Sequence, residues 1–251
     1  MTVLQEGMGL GMDVRQSIAA WERVVEVSSA SGRVVALPSA ATACVEAAGA
    51  DGLGVSVITS GEIRTVVYAA DERSHRLEDA QLVAGEGPCT EAYRLRRIVD
   101  VDVQSVSEQW PVFMRLAGEL GIRRVVALPL LVGGGVPVGA MDVYHTTPGP
   151  LGPADRDKLQ AYARILALLT LDSHPALIGW EQAAPATGPV GYPPVVHQAA
   201  GTAAEASNVT VSEALARMRA HAFRHQQLLN DVAHDILARR LRLEEERDTP
   251  G

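Results

Sequence analysis

Residues 124–145 read RVVALPLLVGGGVPVGAMDVYH. Two runs of aliphatic and β-branched residues, 124–132 and 136–145, flank three consecutive glycines. This pattern predicts two antiparallel strands joined by a tight turn, and a sheet that must be covered by other elements. Pro129 and Pro137 lie inside the runs, which predicts an edge or a bulge there. A second pair, LGVSVIT (53–59) and IRTVVYA (63–69), is joined by SGE and reads as another hairpin.

Helical signals surround these hairpins. Ile18, Trp21, Val24, Val25 and Val27 recur near helical spacing over 14–29, with Asp13 as a cap, whereas glycine-rich residues 1–13 read as loose. A second helix is expected over 39–48, capped by Ser39 and stopped by Gly49. Short helices are expected over 74–97 around the loop GEGPC (85–89), then a short strand over 98–103 and a helix over 108–120. A long helix over 153–171 carries Ile165, Leu166, Leu168 and Leu169. The order predicts an α+β domain over 14–172, an antiparallel sheet flanked by helices.

Residues 175–194 hold five prolines and three glycines without periodicity, so 173–194 reads as a linker. A small three-helix bundle is expected over 195–243. Its first helix is interrupted at Asn208, and Thr210 or Ser212 caps the second. The third carries Leu228, Leu229, Val232, Ala233, Ile236 and Leu237 at i, i+3, i+4, i+7 spacing.

With 22 basic and 30 acidic residues the chain has a formal charge of −8, which excludes a generic nucleic-acid coat and confines any such contact to a local surface. Lys158 is the one lysine; arginine supplies the rest of the positive charge, as a GC-rich genome would favour. Two cysteines, Cys44 and Cys89, give neither a disulfide framework nor a zinc pattern. No apolar run is long enough to span a membrane and no signal peptide opens the chain, so a cytoplasmic protein with no membrane partner is expected.

No catalytic motif stands out, so no enzymatic activity and no cofactor are expected. Asp100, Asp102 and Asp142 either face a pocket or end strands. GEGPC reads as a tight turn before a helix more than as an anion site, and Cys89 as buried and inert. Ala199, Ala200 and Gly201 permit close approach, either of helices or of RNA; a mid-helix Gly201 costs about 1 kcal/mol relative to alanine, for which close approach would compensate. Arg217, His221 and Arg224 fall on one helical face, a basic stripe or a solvated surface. His221 and His225 have chelating spacing but no carboxylate or thiolate partner, so no metal is expected. The tail holds seven arginines against eight acids, and becomes weakly basic without its terminal acidic run.

GEGPCTEA (85–92), VDVDVQSV with WPVF (99–113), GIRRVVALPL (121–130) and VGAMDVYHTTPGPL (138–151) together resemble a GAF domain of the actinobacterial type. VVHQAAG (195–201), SEALARMRAHA (212–222) and LLNDVAHDIL (228–237) resemble an ANTAR domain, a three-helix RNA-binding module. Ala200 stands where that family carries lysine, which removes a salt-sensitive phosphate contact; Arg219 stands where it carries arginine. The resemblance implies a homodimer, a small-molecule ligand for the larger domain, and an RNA hairpin gripped by Gln198, Ala199, Ala200, Gly201, Arg217, Arg219, His221 and Arg224. The implied function is signal-controlled transcription antitermination. The alternative is a tail that has lost RNA binding and serves as a dimerisation or protein-partner module; a duplex-DNA binder is a third reading.

Overall fold

The computed structural model describes residues 3–58, 64–105, 109–174, 194–225 and 227–243. Five strands form one antiparallel sheet: β1 (Gly52–Ile58), β2 (Arg64–Ala69), β3 (Val99–Asp102), β4 (Arg124–Val132) and β5 (Val136–His145), in the order β2-β1-β5-β4-β3. Both expected hairpins form, although the turn over 59–63 lies outside the described residues. Gly133–Gly135 makes a single 3-10 turn between β4 and β5. The bulge expected from the prolines is present: the β4–β5 ladder shifts between Leu130 and Leu131, where Pro137 stands opposite Leu131.

One face of the sheet carries the larger core. Leu53 and Val55 of β1, Met141 and Val143 of β5, and Val126, Leu128 and Leu130 of β4 are buried there. They pack against α1 (Val3–Ala30), α2 (Leu37–Ala48) and α6 (Pro153–Ser173), which bring Val24, Cys44, Leu159, Tyr162 and Leu166. Helix α1 begins at Val3, which corrects the expected loose segment; Leu4, Gln5, Glu6 and Met8 are strong helix formers and offset Gly7, Gly9 and Gly11. In α2 the N-cap is Ala36, and Ser39 stands inside the first turn: its Oγ donates to the Ala36 carbonyl (2.8 Å) and accepts from the Ala36 N–H (3.1 Å). Gly49 ends α2 in the left-handed conformation, as expected.

The opposite face is covered by α3 (Glu72–Ala84), α4 (Pro88–Leu95) and α5 (Pro111–Glu119). Helix α5 starts at Pro111, later than the spacing predicts, because proline suits the first helical position and Trp110 before it is left-handed (φ 55°). Leu77, Phe113, Ile122, Val125 and Tyr144 fill this second core. Three further helices follow: α7 (Pro194–Ser207), α8 (Val211–His225) and α9 (Leu229–Leu237). Residues 175–193 of the expected linker lie outside the described residues. Asn208 breaks α7 from α8 in a left-handed turn (φ 54°), and the Thr210 Oγ1 accepts from the Glu213 N–H (3.1 Å), so Thr210 is the cap. The three helices share a core of Val196, Leu215, Met218, Val232 and Ile236, which also takes in Leu82 and Val83 of α3. The tail is thus packed on the larger domain.

Of the strand carboxylates, Asp100 is held in a two-pronged pair by Arg124 (2.7 and 2.8 Å), and Asp102 accepts from the Gln104 N–H (2.9 Å). Both belong to the β3 edge, whereas Asp142 is fully buried beneath α3. His145 stands opposite Arg124 in the β4–β5 register. Burial, and then the Arg124 charge, hold its imidazole below the ordinary histidine range. The folded state therefore binds fewer protons there than the unfolded chain, and stability falls as pH drops through about 6.5. His145→Asn should flatten the decline in melting temperature between about pH 7 and 5. Thermal unfolding across that window checks this, and an unchanged slope contradicts it.

Candidate functional site

Helix α3 reads ERSHRLEDAQLVA, a polar sequence, yet every residue from Leu77 to Ala84 is buried. The reason is that it meets three partners. Ser74, Glu78 and Gln81 face the sheet, Leu77 and Ala80 face α5, and Asp79, Leu82 and Val83 face the tail.

Toward the sheet, β1 offers the small residues Gly52, Gly54 and Ser56 beneath α3. A Cβ on Gly52 would collide with Tyr144 and Ser74, and one on Gly54 would lie 2.2 Å from the Glu78 Oε1. The trough they leave admits the side chains of α3. Ser56 Oγ donates to Glu78 Oε2 (2.9 Å), Gln81 Nε2 donates to Asp142 Oδ2, and the Cys89 N–H donates to Gln81 Oε1 (2.9 Å). Gly87 of the GEGPC loop lets that amide approach, since a Cβ there would stand 2.4 Å from Gln81 Oε1. The loop is therefore a turn docked on α3, and Gln81 occupies the ground an anion would need. Donor atoms of Glu78, Cys89 and Asp142 all lie within 4.8 Å of one another and are buried, a donor set able to take a divalent cation. Sequence spacing does not reveal this set, because the three residues come from α3, α4 and β5.

Toward the tail, two ends of helices meet. Both carboxylate oxygens of Asp79 accept from the Leu229 N–H (2.9 and 3.0 Å) at the start of α9. Leu228, the N-cap of α9, has no side-chain acceptor, so Asp79 from another element supplies the cap and places negative charge at the positive end of the helix. Reciprocally, Arg219 of α8 donates through Nε to the Val83 carbonyl and through Nη2 to the Ala84 carbonyl. These carbonyls end α3, where helices leave acceptors unsatisfied and favour cations. Arg115 of α5 adds a cation–π contact, 4.2 Å above the Phe223 ring. A cleft of about 220 Å³ opens beside this joint, lined among others by Arg76, Glu119, Phe223 and Gln227.

The residues expected to contact RNA divide accordingly. Ala199 and Ala200 are fully buried in the tail core, where helix packing uses their small size. A Cβ on Gly201 would meet no atom within 4 Å, so close approach does not explain the glycine. Gln198 and Arg224 are exposed. Arg217 pairs with Glu213 (2.5 Å), and Arg219 is engaged by α3. The His221 and His225 rings stack at 4.2 Å, and burial, then the His225 charge, lower the His221 pKa. The structure thus does not gather the eight residues on one open face.

Two outcomes follow. Gly201→Ala should stabilise the tail by up to about 1 kcal/mol, since it adds helix propensity without a clash; a lower melting temperature would contradict the packing described. Asp79→Ala removes an acceptor from a buried N–H, a cost of about 1–3 kcal/mol. Hydrogen exchange of α8 and α9 should accelerate while β4 and β5 keep their protection, and unchanged exchange in α9 would count against the cap.

A comparison with curated proteins finds no match. Among solved structures, the GAF domain of an Acinetobacter phosphoenolpyruvate-protein phosphotransferase is 11% identical, with a TM-score of 0.46 over 66% of this chain and 96% of that one. The photoproduct state of GAF3 from Slr1393 of Synechocystis sp. PCC6803 is 14% identical, with a TM-score of 0.44 over 56% and 94%. A type II free methionine-R-sulfoxide reductase from Thermoplasma acidophilum is 17% identical, with a TM-score of 0.39 over 62% and 94%. The family model for the GAF domain matches residues 34–169, more than half of the chain and the whole of the sheet with α3 to α5. The chain belongs to the GAF domain family.

Proposed function

We propose that this protein is a signal-responsive regulator in which the GAF domain controls a helical RNA-binding output, acting in transcription antitermination. The observation that carries the reading is the engagement of Arg219 by the last carbonyls of α3. A guanidinium is the group best suited to phosphate and to unpaired bases, and here the GAF domain holds it. Release of α8 from α3 frees Arg219 on a helix that already exposes Arg224. A signal received by the GAF domain then acts by differential affinity for the docked and released tail. No reaction and no cofactor are assigned to the chain, and no helix among the described residues is long and apolar enough to cross a membrane.

Dimerisation is part of the same reading. Val14, Ile18, Trp21 and Val25 form one stripe along α1 and are 40–56% exposed, and Leu168 of α6 is 60% exposed. A second copy of the chain would cover this apolar face and bring two tails together, which raises the effective affinity for paired hairpins. The alternative reading, a tail that serves as a protein-partner module, is favoured by the burial of Ala199 and Ala200.

The RNA reading is tested by gel shift with a paired-hairpin RNA, a duplex DNA and the full chain. Asp79→Ala, which loosens the tail but keeps Arg219, should bind the RNA more tightly than the unmodified protein, and adding Arg219→Ala should abolish the gain. No RNA binding by the Asp79→Ala protein would leave the partner-module reading, and preference for duplex DNA would replace both. For the dimer, Ile18→Asp should convert the species measured by light scattering to a monomer; an unmodified chain that is monomeric at high concentration would contradict it.

A further inference from the structure

The cleft of about 220 Å³ beside the joint takes its walls from both sides: Val83 of α3 and Leu116 of α5 from the GAF domain, Phe223 of α8 and the neighbouring Leu228 from the tail. Arg76 of α3 and Glu119 of α5 line it as well, and both are exposed. Among the described residues neither of these two side chains forms an ion pair or a hydrogen bond, so two opposite charges stand in one cleft without meeting each other. Glu119 is the last residue of α5, where a helix presents its negative end and an acid is unfavourable. A cation placed beside it would offset both charges. Asp79 also lines the cleft, but its carboxylate is engaged by the Leu229 N–H at the positive end of α9.

From this arrangement we infer that the cleft binds a small zwitterion with an apolar body, of the chemistry of an apolar amino acid. The guanidinium fork of Arg76 matches a carboxylate in a paired contact. The Glu119 carboxylate takes the ammonium. Val83, Leu116, Phe223 and Leu228 enclose the apolar body. An apolar cavity of about 150 Å³ takes a benzene ring. A cleft of about 220 Å³ therefore accepts a ring-sized body with a small charged head. A ligand so placed touches α3 and α5 as well as α8 and the turn before α9, and binds the docked tail better than the released one. That it thereby opposes RNA binding rests on the regulator proposed above; that it binds and holds the tail does not.

Isothermal titration of the full chain with phenylalanine, hydrocinnamate and phenethylamine tests this, with hydrogen exchange of α8 and α9 as the second readout. Phenylalanine should bind at one saturable site and more tightly than either analogue, and should slow exchange in both helices. Arg76→Gln should weaken phenylalanine about tenfold and leave it no tighter than phenethylamine. Glu119→Gln should weaken it about as much and leave it no tighter than hydrocinnamate. The distant Arg33→Gln keeps the affinity of the unmodified chain. Absence of saturable phenylalanine binding overturns the inference, as do unchanged affinities in Arg76→Gln and Glu119→Gln, or binding that leaves the exchange of α8 and α9 as it was. Each of these results is independent of RNA. Saturable binding with slowed exchange in a chain that shifts no hairpin upholds the cleft and removes the antitermination reading, whereas a shifted hairpin without phenylalanine binding does the reverse.

Discussion

Helix α3 is polar in sequence and buried in place, and the rest of the molecule is arranged to make that tolerable. A buried polar group costs several kcal/mol unless it is hydrogen-bonded. Each inward side chain of α3 has its counterpart: Glu78 with Ser56, Gln81 with Asp142 and the Cys89 N–H, Asp79 with the Leu229 N–H. The counterparts come from β1, β5, α4 and α9, so one helix ties the sheet, the GEGPC loop and the tail to each other. Glycines 52 and 54 of β1 and Gly87 are the concessions elsewhere that make room for it.

That dependence explains which parts of the structure are legible in the sequence. The strands 124–132 and 136–145 are readable to the residue, because aliphatic runs around a glycine turn are a local signal. Asn208 and Thr210 are readable for the same reason: a left-handed break and a cap act on their own neighbours. The candidate site is much less so. Leu229 meets Asp79 across 150 residues, and nothing near Leu228 in the sequence announces where its missing cap will come from. Arg219 stands out in the sequence, but its partner is the end of another helix, a feature no residue type encodes. Ala199, Ala200 and Gly201 look alike as small residues; only their neighbours show that two of them are packing positions and that a methyl group at the third would meet open space.

In the proposed regulator, the same geometry sets the scale of the control. The joint rests on one shared cap, two charge-assisted bonds from Arg219 and the burial of Leu82 and Val83 against the tail helices. Shifting such an equilibrium from one state nearly complete to the other takes about 5.5 kcal/mol of differential affinity. A ligand that moves α3 by loosening its seam with the sheet acts on all three attachments at once, because they share the helix. In the proposed regulator the GAF domain and its tail are coupled through α3, with no need for a longer relay.

A double-mutant cycle on unfolding free energy tests this most directly. Asp79 and Arg219 belong to opposite ends of the joint, and a single docked state holds both contacts. Asp79→Ala and Arg219→Ala should each destabilise the tail, and the double variant should lose little more than the worse single one, because the first substitution already releases the helices. Strictly additive losses would mean that the two contacts hold separate pieces of structure, and that α3 does not govern the tail.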